Sequence, residues 1–113
     1  MFYRLRHLLS LLSLAVWGAI SCLAQAPVGS LKGTAHDSTG AVMPGVNVVV
    51  TNKDTGLQRK MTTSGEGIFS AASLPAGNYS VQATAAGFRS LDAVATVQTG
   101  QVTNVDMELQ VGA

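Results

Sequence analysis

From Gly29 onward, apolar and polar residues alternate with a period of two. Val46, Val48 and Val50 interleave with Asn47, Val49 and Thr51; Tyr79, Val81 and Ala83 with Ser80, Gln82 and Thr84; Val105, Met107, Leu109 and Val111 with Asn104, Asp106, Glu108 and Gln110. A period of two places each apolar set on one face of an extended strand, whereas a helix would need spacings of three and four. Short runs of turn residues separate the segments: Asp37-Ser38-Thr39-Gly40, Pro44-Gly45, Asn52-Lys53-Asp54-Thr55-Gly56, Ser64-Gly65-Glu66-Gly67, Leu74-Pro75-Ala76-Gly77, Ala86-Gly87-Phe88 and Thr99-Gly100-Gln101. About seven strands result, with Leu31, Gly33 and Ala35 sharing one face of the first and a five-residue hairpin connection after Val50. Strands this short, each half apolar, bury their apolar faces by stacking two sheets. The expected class is all-β, a seven-stranded antiparallel β-sandwich.

The front of the chain follows a different rule. Arg4 and Arg6 precede an apolar run from Leu8 to Ala24, broken only by Ser10, Ser13, Gly18, Ser21 and Cys22. A basic start, an apolar stretch and small residues at its end read as a secretory signal peptide over 1–24, forming a helix, with cleavage after Ala24 or alternatively after Ala26. As a helix, the run spans about 26 Å at roughly 1.5 Å per residue, short of a bilayer core of about 30 Å. Ala19-Ile20-Ser21-Cys22 also resembles a bacterial lipobox in which Cys22 would be lipidated, although Leu is usual where Ala19 stands. Residues 25–29 then form a short linker, and 30–111 the domain.

Composition narrows the function. The 113 residues carry 12% charged side chains and a formal net charge of +1. Arg4 and Arg6 account for two of the seven basic residues, so five face six acids after Pro27. That balance argues against a nucleic-acid partner. The sole cysteine lies in the leader, which leaves no internal disulfide.

Several spaced blocks resemble a carboxypeptidase regulatory-like domain: Gly33-Thr34-Ala35-His36-Asp37, Thr39 to Val48 with Pro44-Gly45 inside it, Gly67-Ile68-Phe69, Leu74-Pro75-Ala76-Gly77-Asn78-Tyr79 and Ala86-Gly87-Phe88. The resemblance covers about Ser30 to Leu109. It implies a prealbumin-like, carbohydrate-binding-like sandwich, used as a non-catalytic accessory module in secreted metallocarboxypeptidases and bacterial envelope proteins. Positive φ is expected at Gly40 and Gly77, and Phe69, Tyr79 and Phe88 are expected to fill the core. A leader followed at once by such a module looks like the amino-terminal extension of an outer-membrane TonB-dependent receptor. The alternatives are a secreted carbohydrate- or peptide-binding domain and an accessory domain of an exported enzyme.

Side chains able to do chemistry are few. His36 is the only histidine after the leader and falls on the outward face beside Ala35, where a solvated surface role is expected. Zinc needs several ligands at suitable spacing, and calcium six to eight oxygens, whereas Asp37, Asp54 and Glu66 supply one acid per turn. Backbone capping of turns is the expected role of these acids. The related 5-hydroxyisourate hydrolases share the fold, but their Tyr-Arg-Gly-Ser tail is replaced by Val111-Gly112-Ala113. Lys32 and Asn104 resemble the cross-linking pair of collagen-adhesin B-type repeats, yet Ala83 stands where the required acid belongs and Lys32 faces outward. No catalytic, cofactor-binding or metal-binding residue is therefore assigned, and no cofactor or enzymatic activity is expected. The expectation is an exported module of the periplasm or outer membrane of a Gram-negative bacterium. It meets a protein or glycan partner among cell-envelope components and touches the membrane only through its leader or a downstream barrel.

Overall fold

The computed structural model describes residues 26–112. The expected signal-peptide helix, the cleavage site after Ala24 and Cys22 lie outside the described residues. Seven strands follow in chain order: β1 (Val28–Asp37), β2 (Asn47–Asn52), β3 (Gln58–Thr62), β4 (Ile68–Pro75), β5 (Gly77–Thr84), β6 (Leu91–Val97) and β7 (Val102–Leu109). They form a three-stranded sheet in the order β4-β1-β7 and a four-stranded sheet in the order β3-β2-β5-β6. The domain is the all-β sandwich that the alternation predicts.

Burial follows the alternation. Leu31 and Ala35 from β1, Val48 and Val50 from β2 with Val46 just before it, and Tyr79, Val81 and Ala83 from β5 are all withdrawn from solvent. Phe69, Ala71 and Leu74 from β4, Ala95 and Val97 from β6, and Met107 and Leu109 from β7 complete the core. Burying each larger side chain of this set contributes roughly 1.5–3 kcal/mol. Phe88, expected inside, is only half-buried and packs at the rim of the core. Val111, expected to continue the inward set, is 73% exposed. The reason is local: β7 ends at Leu109, and the chain beyond turns out to pair Val111 with Phe88 in an isolated bridge.

One pairing departs from an all-antiparallel sandwich. β1 and β7 run parallel, in unbroken register from Ser30↔Val102 to Asp37↔Leu109. Parallel neighbours cannot be joined by a tight hairpin, and here the whole intervening domain serves as the connection. β1 meets β4 antiparallel on its other side, where the register slips between Gly29 and Leu31. The extra residue belongs to β4, where Ser73 adopts a left-handed φ of 56° at the β-bulge.

The turns behave as their residues dictate. Gly40 and Gly77 take φ values of 87° and 153°, in the region expected of them. β4 and β5 belong to different sheets, yet only Ala76 separates them, so the chain passes from one layer to the other at this corner. The Tyr79 hydroxyl braces it by donating to the Pro75 carbonyl.

Each side of the sandwich carries a latch between its two layers. On one side, Arg59 of β3 donates from Nη1 to the Ala72 carbonyl of β4 over 3.3 Å. On the other, the Thr103 hydroxyl of β7 donates to the Thr96 carbonyl of β6 over 2.8 Å. Such contacts occupy carbonyls that an edge strand would otherwise offer to a foreign chain.

Candidate functional site

The residues singled out from the sequence fall into two regions, the outer face of the three-stranded sheet and the turns at the sheet ends. On the outer face, Lys32 of β1 lies opposite Ser70 of β4 and Asn104 of β7. Lys32 and Asn104 are both exposed, and Ala83 is buried in the opposite sheet. Ala83, at the place expected of the activating acid, carries no carboxylate to serve as the third partner of an amide cross-link.

His36 departs from expectation. Its side chain is only 21% exposed, and its Nε2 lies 2.9 Å from Oδ1 of Asp106 on β7. This is the only ion pair among the described residues. Nδ1 of the same ring faces the Asp37 carbonyl at 3.1 Å. Glu108, the register partner of His36, adds a second negative charge nearby. The hydrogen bond to the Asp37 carbonyl raises the His36 pKa, partial desolvation opposes it, and the charge and hydrogen bond of Asp106 add to the rise. The sequence places His36 on the outer face, but neither alternation nor turn chemistry marks Asp106 as its neighbour, and the pairing is read from the structure.

Asp37 caps its own turn, as expected. Oδ1 accepts from the Thr39 hydroxyl at 2.6 Å, the Thr39 amide at 2.9 Å and the Ala41 amide at 3.1 Å. These bonds, led by the Thr39 hydroxyl, hold the Asp37 carboxyl below its ordinary value. Asp54 and Glu66 are exposed, and the hairpin around Asp54 is capped by a different residue. Asn52, 97% withdrawn from solvent, accepts on Oδ1 from the amides of Asp54 and Thr55 at 2.9 and 3.0 Å. Asparagine at the head of Asn-Lys-Asp-Thr-Gly was the available signal, since Asn and Asp compete for the same turn role.

Thr63 is a second polar residue that sequence reasoning passes over. Buried at the mouth of β2, its hydroxyl donates to the Met43 carbonyl at 2.6 Å and accepts from the Val46 amide at 2.9 Å. It thereby joins the Pro44-Gly45 turn to the end of β3. Among the described residues, no group of three or more His, Cys, Asp or Glu side chains is placed to hold a metal ion. No helix among them is long and apolar enough to cross a membrane.

Two stacked sheets, closed by a first and a last strand in parallel and carrying capped turns, define a small β-sandwich module of the prealbumin-like kind. The family model for the carboxypeptidase regulatory-like domain matches residues 30–110. The chain belongs to that family, and by that membership it is a non-catalytic, regulatory-like β-sandwich domain. No curated protein matches it. Among solved structures, the Bacillus anthracis TIE protein is 28% identical with a TM-score of 0.66, over 75% of this chain and 17% of that one. GBS52, the minor pilin of Streptococcus agalactiae, is 14% identical with a TM-score of 0.66, over 78% of this chain and 46% of its own. Catechol 1,2-dioxygenase from Pseudomonas arvilla C-1 shares the fold at 13% identity and a TM-score of 0.64, over 78% of this chain and 53% of the enzyme. The matched region thus spans between about a sixth and about half of these larger proteins.

Proposed function

We propose that the chain is an exported contact module of the cell envelope, acting by surface recognition without chemistry, and that it forms the amino-terminal part of an outer-membrane TonB-dependent receptor. The observation that carries this reading is the joining of a basic-then-apolar leader directly to a carboxypeptidase regulatory-like domain. Likeness to a minor pilin supports a place outside the cytoplasm. Its partner is a protein or glycan of the envelope.

Two measurements test the proposal. Sequencing the gene past the Ala113 codon is expected to show an open frame that continues into a plug and a barrel. A stop codon with complete gene boundaries would remove the receptor. Fractionation of cells carrying a carboxyl-terminal tag is expected to place the protein in the envelope, and recovery in the cytoplasm would remove export as well.

A further inference from the structure

Both ring nitrogens of His36 face groups that only accept. The Asp37 carbonyl has no proton to give, so Nδ1 must donate to it, and the largely exposed Asp106 carboxylate calls for a second proton on Nε2. The arrangement is complete only when the ring carries both protons. It also sits where fastening matters, four positions along the outer face from Lys32 and at the last two register pairs of the β1–β7 seam, His36↔Glu108 and Asp37↔Leu109. Beyond that point β7 loses its strand partner, and the chain is held by Phe88↔Val111 and by the Arg89 amide on the Gln110 carbonyl.

We propose that His36 and Asp106 form a pH-responsive clasp that fastens the carboxyl-terminal half of β7 to β1 while the imidazole is doubly protonated and releases it once one ring proton is lost. The groups facing the ring agree in sign. Asp106 and Glu108 on β7 both favour the charged ring, and Asp37 on β1 turns its own carboxylate into the Thr39–Ala41 turn while presenting its carbonyl. The β1–β2 connection meets His36 through Val42, which carries no charge. Because the folded pKa lies above the ordinary histidine value of 6.5, the stabilisation is full below 6.5 and disappears as pH rises through the folded value. Release frees the β7 edge locally rather than unfolding the domain, since the exposed pair is a weak one.

The test is an NMR titration of the full 113-residue chain with amide exchange read at each pH, His36 being told from His7 with His36→Gln. Both ring nitrogens of His36 are expected to carry protons on the acid side, and Asp106→Asn is expected to lower its midpoint. Across the titration, amides of Asp106 to Leu109 are expected to exchange about two- to fivefold faster than base catalysis alone explains. Asp106→Asn should abolish that extra step by leaving these amides fast throughout, and His36→Arg should abolish it by leaving them slow. A midpoint indifferent to Asp106→Asn would overturn the clasp, and so would β7 protection that ignores the titration or persists with the same pH step in His36→Arg.

Discussion

Gly33 of β1 lies directly opposite Phe69 of β4, and the Phe69 ring occupies the space where a Cβ on Gly33 would stand. The glycine therefore owes its identity to the aromatic ring packed across it, and not to a turn. Gly33→Ala is expected to destabilise the domain by about 1–3 kcal/mol through overpacking. Urea unfolding followed by fluorescence or circular dichroism would measure it. Phe69→Leu in the same chain should recover part of the loss, and additive losses in the double variant would show that the two positions do not meet.

Thr63 satisfies two backbone groups at once, the Met43 carbonyl and the Val46 amide. Thr63→Val keeps the shape and deprives both of a partner, an expected cost of about 1–3 kcal/mol. Thr63→Ser, which keeps the hydroxyl, should fall much closer to the parent in thermal midpoint.

The β2–β3 hairpin depends on Asn52. Removing its side-chain oxygen with Asn52→Ala should cost about 1 kcal/mol and speed exchange of the Asp54 and Thr55 amides. Asn52→Asp retains the acceptor and should retain the protection. Asp54→Ala should leave both amides as they were.

Asp37 gives stability an acid-side slope. Its folded pKa lies below the ordinary 3.8, so its contribution is complete above 3.8 and is lost as pH falls through the folded value. Urea midpoints measured downward through that range should fall more steeply for the parent than for Asp37→Ala. Parallel curves for the two proteins would show that the turn bonds carry no linkage.

Much of this architecture is written in the spacing of residues. Val46, Val48 and Val50 announce β2 because every second side chain must meet the other sheet, and Leu91 to Val97 delimit β6 as the structure has it. Turns were legible for a related reason, since Asp37 and Gly40 combine a side-chain acceptor with backbone freedom within four residues. Long-range pairing left no such trace. That β7 runs beside β1 in parallel is a property of the assembled sheets, and with it the His36–Asp106 contact; only the resemblance of Lys32 and Asn104 to a cross-linking pair hinted that the first and last strands meet. Phe88 misled because hydrophobicity shows an attraction to the core but not whether the chain's path reaches it.

A strand contributed by the front of the domain is flanked on one side by the last of the domain's own strands to be synthesised. The smaller layer consequently stays one member short until all seven segments have emerged, and its closure spans nearly the full length of the domain. Such distant closure belongs to the slow end of the folding spectrum, on the order of milliseconds to seconds. The delay leaves the polypeptide threadable for longer, which suits the export proposed for it.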